Sequence, residues 1–360
     1  MSPAPRQGRQ GQGRRAQAHR GQGRRGLTVA VTGPTGEIGR ALLGALDRTP
    51  EVGRVLGMAR RAFDPARLGL KKLEYRQGDV LDQASVDRLV KGADVVVHLA
   101  FVIMDDAEGS RAVNLEGSRN VFEATVAAGA SRLVYTSSVA AYGFHEDNPD
   151  VLDEDVPARG SESLYYSAQK AELEQTLAEV TEGSATQTYV FRPCIVAGPR
   201  ATMLVRSMPY VQIRERLPGA VRTLFDQVPI LKPVLPDPGV PFQLVHHDDV
   251  ASAMRAAILG RGRPGVYNLA GPGELTVADL AGELGWYALP VPELATDATA
   301  EIVARLPFLP AEASWVQAFR RPVLLDCAKA RRELRWRPRR SGRQTLRETV
   351  VAHREDLQAA

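Results

Sequence analysis

Tyr166 and Lys170 stand four residues apart in the run Tyr165-Tyr166-Ser167-Ala168-Gln169-Lys170. On a helix that spacing puts both side chains on one face. A phenol is ordinarily protonated far above neutral pH. A neighbouring ammonium stabilises the phenolate and brings the group toward the range where it can pass a proton. A third group must hydrogen-bond the substrate oxygen. Ser138, closing Tyr135-Thr136-Ser137-Ser138, is the candidate, and Ser137 is the alternative.

By itself a Tyr-x-x-x-Lys is an ordinary surface pair on a helix. It gains weight from Thr32-Gly33-Pro34-Thr35-Gly36-Glu37-Ile38-Gly39 upstream. Gly33 allows a tight turn, Gly36 lets the backbone approach a pyrophosphate, and Gly39 lets helix pack on strand. The helix N-terminus that follows offers N–H groups and a positive dipole to phosphates. The glycine turn can therefore hold a dinucleotide, and the Tyr/Lys pair can move a proton beside its nicotinamide. The second strand decides between the two nicotinamide cofactors. NAD requires an acid at its end for the ribose hydroxyls. Here Ala59 stands twenty residues past Gly39, followed by Arg60-Arg61. Two guanidiniums can clamp a 2′-phosphate, so NADP is expected, with NAD as the alternative.

The elements that must position these groups alternate regularly from Leu27. Strands are expected at Leu27 to Thr32, Arg54 to Ala59, Leu73 to Gln77, Val95 to Leu99, Arg132 to Ser137 and Thr188 to Arg192. Helices are expected at Glu37 to Leu46, Ser85 to Val90, Ala112 to Ala128 and Ser163 to Glu182. Such alternation predicts an α/β fold, a Rossmann-type doubly wound parallel sheet over 27–193. After Pro193 the chain turns proline-rich (199–241), which reads as a substrate-covering segment rather than more sheet. Regular structure resumes with Phe242 to Val245, the helix His247 to Leu259, Val266 to Asn268, and helices at Val277 to Leu284 and Ala300 to Leu306. It ends with Asp326 to Trp336 and a helix from Thr345. Residues 194–360 are thus a smaller α/β substrate-binding region, with some elements returning to the core.

Composition bounds the rest. With 44% apolar and 24% charged residues, the 360-residue chain is an ordinary globular one. It shows no membrane-length apolar run and no secretory signal, so a cytoplasmic protein is expected, with Cys194 and Cys327 as reduced thiols. The net charge of +4 comes from residues 1–26, whose seven arginines leave the remainder at −3. That Gly/Gln/Arg stretch reads as a disordered tail, and nucleic-acid binding is not expected beyond it.

These residues resemble the extended short-chain dehydrogenase/reductase family, the group of sugar-nucleotide epimerases, dehydratases and related reductases. The resemblance spans about 27 to 350. The glycine turn is followed in order by Gly78-Asp79-Val80-x-Asp82, His98-Leu99-Ala100, Val113-Asn114-x-x-Gly117 and Ser137-Ser138-x-x-x-Tyr142-Gly143. Then come Tyr166-x-x-x-Lys170, Arg192-Pro193 with Gly198-Pro199, Asp248-Asp249-Val250-Ala251, Tyr267-Asn268, and Asp326-x-x-Lys329-Ala330-x-x-x-Leu334-x-Trp336-x-Pro338. The resemblance implies that Ser138, Tyr166 and Lys170 form the catalytic set. It implies a dinucleotide held by Gly33, Thr35, Gly36, Glu37, Ile38 and Gly39. Asp79 and Val80 would line the adenine, Leu99 and Ala100 the ribose and phosphates, and Pro193 the nicotinamide, with Tyr166 and Lys170 beside it. Asn114 would brace the site or anchor the core, and His98 would be a strand-end structural residue. No metal is expected at His246-His247-Asp248-Asp249, because four adjacent residues cannot all face one ion and the family begins a helix there. The family also implies a homodimer through the helices Ala112 to Ala128 and Ser163 to Glu182.

Dehydratases of this group carry an acidic pair just after the serine, where this chain has Val139 and Ala140. Elimination of water therefore lacks a general acid and base. An NAD(P)-dependent oxidoreductase acting on a carbonyl or alcohol is expected first. An epimerase that retains NAD and a dinucleotide-sensing protein without turnover are the alternatives. Arg200, Arg206, Arg214, Arg216 and Arg222 suit a sugar diphosphate, whereas Met203, Leu204, Val205, Met208 and the apolar residues to Phe225 suit a hydrophobic carbonyl. Arg320-Arg321 loosely resembles the family's late arginine.

Overall fold

Val29 and Val31 pack into one core layer and Ala30 into another, so the first strand is covered on both faces. Such β-branched runs make a parallel sheet between helical layers. The computed structural model describes residues 26–103, 110–206, 208, 210–211, 232–290 and 322–359. Strands β1 (Leu27–Thr32), β2 (Val52–Ala59), β3 (Leu73–Gln77), β4 (Val95–His98), β5 (Arg132–Thr136), β7 (Gln187–Pro193) and β11 (Gly265–Leu269) form one seven-stranded sheet. Its order is β3-β2-β1-β4-β5-β7-β11, and every pairing is parallel. This is a Rossmann-type doubly wound sheet, and its strand order reverses between β1 and β4. Crevices at that switch point take ligands in such folds.

Helices α1 (Glu37–Asp47), α2 (Gln83–Val90), α3 (Gly117–Ala127) and α4 (Tyr165–Thr181) fall where the periodicity puts them. The expected single helix from Ala112 instead opens with a wide π-turn, Ala112–Glu116. At its end Gly117 packs so closely on Val80 that a Cβ would lie 2.5 Å from Val80 Cγ2.

The later half is shared between the sheet and smaller units. α5 (Met203–Arg206) precedes α6 (His247–Ile258), α7 (Val277–Leu284), α8 (Ala328–Glu333) and α9 (Gly342–Ala359). α6 packs along α1, and β11 closes the sheet edge beside β7. Short strands escape a period of two, and five went unforeseen. β6 (Val151–Leu152) pairs with β13 (Leu324–Leu325), β8 (Ile195–Ala197) with β10 (Leu244–His246), and β9 (Val234–Asp237) with β12 (Tyr287–Pro290). β9 therefore puts sheet inside the proline-rich stretch, where none was expected. The late motifs are structural here. Ala330, Leu334 and Trp336 are buried, and Trp336 Nε1 donates to Asp249 O at 2.9 Å. Tyr142 Oη donates to Asn268 Oδ1 at 2.8 Å. Both cysteines are free and buried. The basic stretch 1–25, the helix expected at Ala300 to Leu306, Arg214, Arg216, Arg222, Arg320 and Arg321 lie outside the described residues. Among the described residues no helix is long and apolar enough to cross a membrane.

Candidate active site

The glycine turn between β1 and α1 is built by close contact at two of its glycines and open space at the third. Gly33 has φ +68°, and a Cβ there would meet Ala100 N at 2.8 Å. A Cβ on Gly39 would strike Gly33 O at 2.3 Å. Gly36 is exposed, and a Cβ on it would meet nothing nearer than Gly33 O at 3.5 Å. Gly36 is also the N-cap of α1 and offers no side-chain acceptor to the first-turn N–H groups. Those amides and the open face at Gly36 fit a pyrophosphate. Thr35 and Ile38 are half-buried in the same turn, with Thr35 O accepting from Arg40 Nε at 3.0 Å. Glu37 is half-buried at the start of the helix, and burial pushes its carboxyl up to about 7.

β4 closes the other side. Thr32 Oγ1 meets His98 Nδ1 at 2.7 Å, and His98 Nε2 meets Ser118 Oγ at 2.8 Å. Burial and the nearby Lys170 charge hold this imidazole down to about 3, so it is a neutral strand-end brace. Leu99 and Ala100 lie against Gly33, and both amides point at Thr32 Oγ1 (3.3 Å). Arg60 and Arg61 are exposed beyond β2. Their backbone carbonyls accept from Gln77 Nε2 and Tyr75 Oη, which fixes the loop and leaves both guanidiniums without an ion-pair partner among the described residues. Asp79 caps its own turn by accepting Leu81 N–H at 3.1 Å.

Two expected cofactor contacts also have packing roles. The Val80 side chain is in the core under α3, which leaves its backbone to face an adenine. Asn114 is fully buried, with Oδ1 accepting from Val102 N (2.8 Å) and Nδ2 donating to Val102 O (2.9 Å) and Gln169 Oε1 (2.9 Å). Its amide holds the loop after β4.

The acid–base wall lies on α4 and the end of β5. Tyr166 lies beside the Ser138 hydroxyl, and Ser138 accepts Ala140 N–H at 3.2 Å. Ser137 turns instead to Glu174, donating to Oε1 at 2.5 Å. The sequence left two serines open; Ser138 is the one beside the phenol, and Ser137 is turned to a buried ion pair. Burial raises the Tyr166 phenol. The shared helix face is real, but Lys170 Nζ reaches inward, donating to Thr136 O at 3.0 Å. It lies 3.8 Å over the Phe101 ring and 5.9 Å from the Tyr166 ring. Burial lowers the ammonium to about 7, against an opposing pull from Glu174. Glu174 follows Lys170 by another helical turn and pairs with buried Arg192 at 2.6 Å. Pro193 is buried at the end of β7, next to this pair. Phe101 and Glu174 were missed. Phe101 had no signal beyond following Ala100, whereas Glu174 continues the four-residue spacing of Tyr166 and Lys170.

The donor atoms of His246, His247 and Asp248 converge within 4.8 Å, while Asp249 turns away to accept the Arg339 and Arg340 N–H groups, so the four adjacent residues do not all face one point. Backbone N–H groups fix the tautomers. Asp248 N donates to His246 Nδ1 (3.1 Å) and Arg200 N to His247 Nε2 (3.3 Å). The other two ring nitrogens must then carry hydrogen: His247 Nδ1 meets Asp248 Oδ1 at 3.1 Å, whereas His246 Nε2 lies 3.2 Å from Glu348 Oε2 without making a hydrogen bond. Arg340 supplies the cation, with Nε 3.0 Å from Glu348. No imidazole lone pair is left for a metal.

The glycine turn before α1 and the Ser138, Tyr166 and Lys170 side chains thus make up the candidate site. Residues 29–270 match the model of the NAD dependent epimerase/dehydratase family. The chain belongs to this family. Its members include oxidoreductases, epimerases and dehydratases. An uncharacterized protein of Sinorhizobium fredii is 28% identical over 332 residues, covering 89% of this chain and 77% of its own. A 2-alkyl-3-oxoalkanoate reductase of Shewanella oneidensis is 30% identical over 197 residues, covering 52% of this chain and 48% of its own. The solved dTDP-glucose 4,6-dehydratase DesIV of Streptomyces venezuelae, bound to NAD, has the same fold. It superposes with a TM-score of 0.68 at 22% identity, over 92% of this chain and 98% of its own.

Proposed function

We propose that this family member is an NAD(P)-dependent oxidoreductase in which Tyr166 passes a proton to or from a carbonyl or alcohol oxygen. The observation that carries the reading is the gathering of Tyr166, with Lys170 Nζ 5.9 Å from its ring, beside Ser138 at the end of β5. Gly36 and the first-turn amides of α1 would hold the pyrophosphate, and Ala100 would lie along the ribose. The bound nicotinamide ring would supply or accept the hydride. Ser138 would position the substrate oxygen, and Tyr166 would exchange its proton with it. With a phenol raised by burial, Tyr166 rests protonated, which suits it to donate in carbonyl reduction. Lys170 would turn from Thr136 O and Phe101 toward the ribose and phenolate as charge develops.

Val139 and Ala140 sit in the turn directly after Ser138 and offer no carboxyl, which counts against dehydration. Phe101 presents an apolar edge to Tyr166 at 5.5 Å, which favours a hydrophobic carbonyl, in keeping with the 2-alkyl-3-oxoalkanoate reductase relative. NADP is preferred because the exposed Arg60 and Arg61 follow a strand that ends without an acid. We also propose a cytoplasmic homodimer through α3 and α4. Their outward residues Arg119, Glu123, Glu172 and Glu179 are polar, so such a dimer would weaken with salt.

The test is a ketone screen with NADPH and NADH, followed by Tyr166→Phe. Turnover should fall about 10²–10⁴-fold while nucleotide affinity is kept. Unchanged turnover would remove Tyr166 from the chemistry. Arg60→Ala should narrow the preference for NADPH over NADH by about tenfold, read from the two Kd values.

A further inference from the structure

The chain is pinned on both sides of Phe101. Before it, the Leu99 and Ala100 amides both point at Thr32 Oγ1 at 3.3 Å. After it, the Asn114 side chain takes both polar backbone atoms of Val102, the N–H at 2.8 Å and the carbonyl at 2.9 Å. The same amide donates to Gln169 Oε1 on α4, one residue before Lys170. These anchors leave the half-buried Phe101 ring over the Lys170 ammonium, with Nζ 3.8 Å from its centroid. Tyr135 and Tyr166 stand around the same ammonium, their ring centroids 5.3 and 5.9 Å from Nζ. Phe101 also meets Tyr166 edge-on, with centroids 5.5 Å apart and planes at 90°. Three rings within about 6 Å of one buried ammonium form an aromatic cage of the kind that attracts cations.

An ammonium has three hydrogens, and Thr136 O accepts one of them here. The cofactor reading offers the nicotinamide ribose hydroxyls to the others. It lays that ribose along Ala100, the residue before Phe101, so ring and ribose reach the ammonium from the same loop. We propose that Phe101 is a positioning residue for Lys170, whose ring holds the ammonium in the free protein and surrenders it to the ribose hydroxyls when a dinucleotide binds. The inference rests on the cofactor reading above. The ring gives a buried charge a partner while no nucleotide is bound. Each dinucleotide that binds must break this contact, so its affinity is lowered by the strength of the contact. The turn of Lys170 thus begins at binding, ahead of the charge that completes it. Phe101 itself touches neither the hydride nor the proton.

Fluorine NMR of the full chain carrying 4-fluorophenylalanine at position 101 reads the ring directly. With NADP⁺ or NAD⁺ bound to saturation, the resonance should shift as the ammonium leaves the ring face. ADP, which has no second ribose, should leave the resonance in place. Calorimetric titration at pH 6, where the ammonium carries its charge, gives the affinities. Phe101→Leu removes the aromatic face and keeps an apolar side chain, its folding checked by thermal denaturation. Its Kd for the dinucleotide should be about two- to fivefold tighter than that of the wild type. Phe101→Tyr keeps the face and should keep the wild-type Kd. A resonance that stays in place with a dinucleotide bound, or that shifts equally with ADP, would overturn the inference and leave the cofactor reading intact. A Kd unchanged or weakened in Phe101→Leu would do the same. Absence of binding by either dinucleotide would overturn both.

Discussion

The charged groups around Lys170 and those around His246 differ in exposure: Asp248, Arg340 and Glu348 reach solvent, whereas Lys170 is buried. At the His246 cluster, backbone amides fix both imidazole tautomers, and Arg340 sits against Glu348 and Asp248. Lys170 has three hydrogens and, among the described residues, one acceptor, Thr136 O, with an aromatic ring over the ammonium. The first cluster locks α6 to α9. The second keeps an under-partnered ammonium at the mouth of the sheet, at a cost to stability. Buried polar groups are normally satisfied, so an exception beside a crevice marks where an incoming ligand is expected to complete the set.

This contrast can be broken by mutation. The largest effect is expected at Glu174→Gln, which leaves Arg192 buried without its counter-charge. Urea unfolding should show a loss of about 3–5 kcal/mol. A loss below about 1 kcal/mol would mean that solvent reaches the pair. Next comes Lys170→Met, which should stabilise the protein by roughly 2 kcal/mol at pH 7, after the lost hydrogen bond and ring contact are subtracted. The sign follows from linkage. The folded chain releases this proton near 7, whereas the unfolded chain holds it to about 10.4. Between those values the unfolded state binds more protons, so wild-type stability rises with pH, and the Lys170→Met gain should shrink toward pH 10. A gain that stays constant over that range would rule out an ammonium titrating in the folded state. The smallest effect is expected at Glu348→Gln. Its side chain is 38% exposed and Arg340 keeps Asp248 nearby, so about 1 kcal/mol or less should be lost.

The division between legible and hidden features follows from range. Most strands of the large sheet could be read from apolar, often β-branched runs, β3 from the Gly78-Asp79 that closes it, and the glycine roles from a turn whose geometry permits few substitutions. Helix spacing put Tyr166 and Lys170 on one face, but it carries no information on where a flexible lysine ends. Phe101 and Thr136 O, which draw Lys170 inward, lie 69 and 34 residues away in sequence. The inward turn of Val80 and the full engagement of Asn114 depend likewise on Gly117 and Val102. The histidine pair shows the same limit, because the entry of α6 brings the His246 and His247 rings to 4.1 Å between centroids, a contact that spacing alone does not give.

The edge strand β11 is contributed by Gly265–Leu269, and α1 is covered by His247–Ile258. A ribosome that has released the first 200 residues has therefore exported a sheet with one flank unpaired and its nucleotide-facing helix bare. Folding of the early half must wait for later synthesis, and a growing chain is open to edge-to-edge association until about residue 270 emerges. Stalled translation before that point should yield insoluble fragments, whereas stalling after Trp336 clears the exit tunnel should yield protease-resistant ones.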